Sequence, residues 1–87
     1  MSGSHPSRYT GPDFLAHARG ILEAAIPGSQ ALVEGGGGHY TVTVTAEVFR
    51  GKKLLEQQRL VLNALGDLLK GDDAPIHAVD RIVIKLP

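Results

Sequence analysis

The sequence predicts a small α+β domain, in the order helix, strand, strand, helix (open to a break in two), strand. Two observations carry most of this. Tyr40 to Ala46 alternates strictly between Tyr40, Val42, Val44, Ala46 and Thr41, Thr43, Thr45, the period of a strand with one buried side. On either side of it, apolar residues recur at helical spacing, first in Phe14, Ala18, Ile21, Leu22 and Ala25, then in Leu54, Leu55, Val61, Leu62, Leu65, Leu68 and Leu69. A third observation is Arg81 to Leu86, where Ile82, Ile84 and Leu86 again share one face. A three-stranded sheet with both helices on one face buries all these stripes together and turns the threonine side outward.

The elements follow in order. Met1 to Arg8 is small, polar and aperiodic, which reads as a disordered leader or expression remnant ahead of the first helix. Thr10 can cap that helix, with Pro12 in the first turn and Asp13 three residues on, as in a capping box. Gly20 weakens the helix by up to about 1 kcal/mol relative to alanine, and Pro27-Gly28 ends it. Ala31-Leu32-Val33 is a short strand candidate, and the glycines Gly35, Gly36, Gly37 and Gly38 read as the loop of a hairpin into Tyr40. Phe49 and a Gly51 turn lead into the second helix, which Gly71-Asp72-Asp73-Ala74-Pro75 stops.

At 87 residues the chain is one domain, and its 43% apolar content argues against wholesale disorder. Nine basic and nine acidic residues cancel, so no overall field attracts nucleic acid or an anionic membrane. No apolar run is long enough to span a bilayer and no secretory pattern is present, from which a cytoplasmic location is expected. The absence of cysteine excludes disulfides, a CxxC redox site and any thiolate ligand from this chain. No Ser/His/Asp set, paired carboxylates or H-E-x-x-H motif appears, so nothing supports an enzyme.

Among candidate site residues, His77 stands at the mouth of the last strand beside Ile76, where an isolated histidine reads as a hydrogen-bonded packing residue. His39 begins the second strand, as a metal ligand or as an exposed hairpin histidine. The Gly35–Gly38 run lacks the following helix and Lys-Ser/Thr of a phosphate-binding loop. Arg50, Lys52, Lys53 and Arg59 form the one basic cluster, read as a solvated helix end, a nucleic-acid contact, or a contact for an acidic partner. His5 and His17 have no partners suggested by spacing, and Asp72-Asp73 reads as a solvated loop pair.

The ordered set His39-Tyr40, Phe49-x-Gly51, Val61 and Leu65, Ile76-His77-Ala78-Val79 and Leu86-Pro87 resembles the BolA family signature, over roughly Phe14 to Leu86. The resemblance implies a fold similar to the type II KH arrangement, with a mixed three-stranded sheet and a BolA-like domain over 11–87 behind a leader over 1–10. It implies a non-enzymatic partner of monothiol glutaredoxins that shares a 2Fe-2S cluster with the glutaredoxin cysteine and glutathione, and holds no cofactor alone. His77 falls on the family's ligand position. The family's second ligand, a Cys or His of the hairpin loop, falls on Gly36, which leaves His39 as the nearest ligand-capable side chain. Gln57-Gln58-Arg59 replaces the commoner R-H-R or R-H-Q, and Asp80-Arg81 looks like one extra residue entering the last strand. A different class of reading is a nucleic-acid-binding regulator using the KH-like face, although a KH domain needs a GxxG loop and this chain has Gly51 alone. A protein–protein module without metal is the third. No membrane contact is expected, and the free chain is expected to be a monomer or weak homodimer.

Overall fold

The computed structural model describes residues 11–71 and 74–87, and the side chains of that span from Asp13 on. The expected leader, the Thr10 cap, His5 and the Asp72-Asp73 pair lie outside the described residues. Helix α1 runs Gly11–Ala25, strands β1 and β2 run Gln30–Gly36 and His39–Thr45, and a 3-10 turn follows at Glu47–Phe49. Helices α2 (Leu54–Ala64) and α3 (Gly66–Leu69) precede β3, Ala78–Lys85. The sheet order is β1-β2-β3, with β1 antiparallel and β3 parallel to β2. This is the expected mixed sheet. The second helical stretch is broken at Leu65.

The core lies on the helix side of the sheet. Val42 and Val44 are fully buried and Tyr40 nearly so, facing Phe14, Ala18 and Leu22 of α1, Val61 of α2 and Leu65 at the break. The Phe14 and Tyr40 rings meet at 5.4 Å, inclined by 50°, a tilted geometry that aromatic quadrupoles favour. Glu23 Oε2 accepts the Ala31 N–H at 2.9 Å, tying α1 to β1.

Four expectations need correction. Leu54, Leu55 and Leu62 are exposed, because the leucine run is wider than one helix can bury. Leu55 and Leu62 stand about 100–120° around the helix from Val61; Val61, Leu65 and Leu68 are buried, with Leu60, Ala64 and Leu69 partly buried against the core. In α1, Ala25 faces solvent and Ile26 is buried in its place. The glycine run is not all loop: Gly35 and Gly36 pair with Tyr40 and His39, and only Gly37 and Gly38 make the turn. Their φ of 63° and 86° match the doubly left-handed two-residue turns that follow strand twist. Leu86 lies past the end of β3 and is exposed. The threonine face looks away from the helices, its three threonines half-buried.

The last strand carries a bulge at the Asp80-Arg81 step. Tyr40 pairs with Val79 but Thr41 with Arg81, so Asp80 has no partner across the ladder. Such bulges are rare between parallel strands. Because one residue is spent without advancing the register, Val79 and Ile82 both reach the helix side and pack on the core.

Candidate functional site

The hairpin turn, the start of β2 and the start of β3 meet at one end of the sheet. Gly38 is their hub. Its carbonyl accepts two N–H groups, from His77 at 2.7 Å and Ala78 at 2.9 Å, which docks the incoming strand on the turn. A Cβ on Gly38 would lie 2.9 Å from His77 Cγ and 3.0 Å from Cδ2, so the imidazole rests against the glycine backbone where any side chain would stand. With φ at 86°, the backbone also favours glycine. The glycine of one segment thus seats the ring of another. Ile76 anchors the approach from below: it is 1% exposed and its N–H donates to the Leu68 carbonyl at 3.0 Å.

His39 is the next residue along, paired in register with Ala78. Both histidines are exposed and flank Gly38, one bonded to it in sequence and the other packed on it. His39 Nδ1 lies 3.3 Å from Asp80 Oδ1. A carboxylate can only accept, so this contact puts the proton on Nδ1 and leaves Nε2 on the far side of the ring. No hydrogen bond or ion pair to a described residue engages the His77 ring. Gly36 pairs with His39 across the hairpin and contributes only backbone. Among the described residues, no group of three or more His, Cys, Asp or Glu side chains could hold a metal without help.

The basic residues sit at the other end of β2, after Thr45. Arg50 is not a free cation: its Nε and Nη2 donate to the two carboxylate oxygens of Glu47, the latter at 3.2 Å. That hydrogen bond, opposed by desolvation and helped by the Arg50 charge, holds the Glu47 carboxyl below its ordinary range, and the same pairing raises Arg50. Lys52 and Arg59 join Glu56, Leu60 and Asn63 around a shallow hollow of about 260 Å³. Lys53 faces solvent, its backbone N–H capped by Glu56 Oε1 at 3.2 Å. The tertiary structure therefore separates the histidines from the cations. Sequence reasoning missed Asp80 as the partner of His39, and the extra residue in β3 was its signal. The hollow was missed too, although positions 56, 59, 60 and 63 carry a readable helical period.

The BolA-like protein family model matches residues 21–83. The chain belongs to the BolA-like family. BolA1 of Mus musculus is 30% identical over all of this chain and 72% of its own, with a TM-score of 0.65. BolA1 of Arabidopsis thaliana is 25% identical, covering 84% of this chain and 90% of its own at a TM-score of 0.69. The BolA domain of SufE1 from the same plant is also 25% identical, with coverages of 100% and 96% and a TM-score of 0.68. No curated protein sequence matches the chain. Among the described residues no helix of this BolA-like domain is long and apolar enough to cross a membrane.

Proposed function

We propose that this BolA-like chain is a non-enzymatic adaptor that binds a monothiol glutaredoxin and shares a two-iron, two-sulfur cluster with it and with glutathione. The observation that carries the reading is the pair of exposed imidazoles on either side of buried Gly38, one of them within the Ile76-His77-Ala78-Val79 step. Fit is supported by the donors themselves. The His77 ring has no partner among the described residues, and the His39–Asp80 contact leaves Nε2 available. His77 and His39 would hold the cluster from this side, and a cysteine-free chain must borrow thiolates for the other. When bound, mixed imidazole and thiolate ligation raises a cluster's potential above that of an all-thiolate one. The chain's own part is to seat His77 on a glycine backbone, to fix the ring beside it, and to keep both donors at the surface where a second protein can reach them.

The test is reconstitution with a monothiol glutaredoxin, glutathione, iron and sulfide. The wild type should form a coloured heterodimer. His77→Ala should alter its visible spectrum and make the cluster labile while the apo fold survives. A spectrum and lifetime equal to wild type in His77→Ala would overturn the ligand assignment.

A second reading, nucleic-acid binding, draws on Lys52, Lys53 and Arg59, none of which has an ion pair among the described residues. Three cations on a chain of balanced charge support weak, non-specific and salt-sensitive binding. Sub-micromolar, sequence-selective affinity at physiological salt would promote this reading over the first.

A further inference from the structure

We infer that Asp80 is a positioning residue: it fixes the His39 imidazole with Nδ1–H toward its carboxylate so that Nε2 faces outward as the ligating atom. This deepens the shared-cluster reading and rests on it. Two observations converge. Asp80 is the residue without a partner across the β2–β3 ladder, the one that the last strand carries beyond its register. It is also the residue whose carboxylate reaches His39 Nδ1, at 3.3 Å.

The geometry makes the bulge functional. In an unbroken ladder, the residue after Val79 would pair with Thr41 and stand in a fixed row of the sheet. Asp80 instead opposes no residue, and its carboxylate turns to the ring at the start of the neighbouring strand. The loop position that would otherwise offer a ligand is Gly36, which carries no side chain and lies directly across the hairpin from His39. A missing donor and an added carboxylate thus fall on the same side chain. Both partners are largely open to solvent, 61% for His39 and 56% for Asp80, so the contact has little to hold in the fold. Its effect falls on the ring. Metal-bound imidazoles almost always donate their other ring N–H to a carboxylate or carbonyl, which sets tautomer and orientation, and loss of that partner typically costs about 10–100-fold in metal affinity.

The first measurement uses the apo chain and needs no cluster. Long-range proton–nitrogen NMR should find His39 with its proton on Nδ1 in the wild type, and a mixture of tautomers in Asp80→Ala, with the amide spectrum otherwise unchanged. The second uses the glutaredoxin complex. Asp80→Ala should shorten cluster lifetime by about 10-fold or more, and the His39→Ala/Asp80→Ala double variant should be no more labile than His39→Ala alone, since Asp80 acts through His39. Asp80→Glu, which keeps an acceptor, should recover part of both effects. A wild-type proton on Nε2, or no response to Asp80→Ala, overturns the inference. A locked tautomer with an unchanged cluster lifetime overturns it equally and leaves the shared-cluster reading to the His77→Ala result. Failure of the wild type to form any cluster overturns both.

Discussion

Strand β2 carries one kind of chemistry at each end. Its start is built from glycines and imidazoles, its exit from an aromatic anchor and cations. About 20 Å of strand separates them, seven residues at the usual rise. At the histidine end the backbone does the shaping: Gly35 and Gly38 allow approaches that a Cβ would block, and the two imidazoles stay at the surface. At the cation end a buried side chain does it. Phe49 is 0% exposed and its carbonyl accepts Gln57 Nε2 at 3.0 Å, so the turn hangs from the core. The lesson is that the two candidate functions can be lesioned separately, and that each end answers to a different kind of substitution.

The largest expected effect is that of Phe49→Ala, about 3–5 kcal/mol by urea denaturation, a large part of a small domain's stability. His77→Ala, from the opposite end, should change stability by no more than about 0.5 kcal/mol because the ring is exposed. A Phe49→Ala loss below about 1 kcal/mol would show that the cation end is not core-anchored.

Alanine at glycine probes the same contrast through the backbone. Gly35 and Gly51 both hold positive φ, 126° and 80°. At Gly35 a new Cβ would lie 2.3 Å from the His39 carbonyl oxygen, whereas at Gly51 it meets nothing within 4 Å. Gly35→Ala should cost about 3 kcal/mol or more, from backbone strain plus overpacking, and Gly51→Ala about 1 kcal/mol from strain alone. Equal losses in thermal melts would erase the distinction.

Charge removal sharpens the comparison from the other side. Replacing Lys52 and Arg59 together by alanine should lower the salt slope of any nucleic-acid retention by about 2, and leave the visible spectrum of the glutaredoxin complex as it was. A change in that spectrum would mean that the two ends act as one site.

The smallest effect concerns Glu47. Its folded-state pKa is lowered, chiefly by the Arg50 hydrogen bond, so the stability it lends is complete above the ordinary glutamate range and is lost as pH falls through the lowered folded value. Glu47→Gln should flatten that acid limb slightly in a stability–pH series, since both side chains face solvent. An unchanged acid limb would show that the ion pair contributes nothing.

Much of the fold was legible because its patterns are local. Alternation from Tyr40 to Ala46 needs only a strand with one wet side, and the α1 spacing needs only a helix with one dry face. The second helical stretch was harder. Leu54, Leu55 and Leu62 look as apolar as Val61 and Leu65, and hydrophobicity cannot say which meridian of a helix meets the sheet. At the candidate site, His77 and the glycine run could be named in advance. Where the His77 ring rests could not, since Gly38 is 39 residues away along the chain.

By itself, the sequence determined the element order, the buried face of β2 and the absence of any cysteine ligand, and the family resemblance pointed to one residue too many in the last strand. Only the tertiary structure decided that the extra residue is Asp80 and that its carboxylate meets His39, or that Gly38 seats His77 while the cations gather at the far end. The reason is physical. Periodicity reports how a residue stands on its own element, whereas pairing register and the close approach of a ring to a bare backbone arise only when distant segments share one sheet.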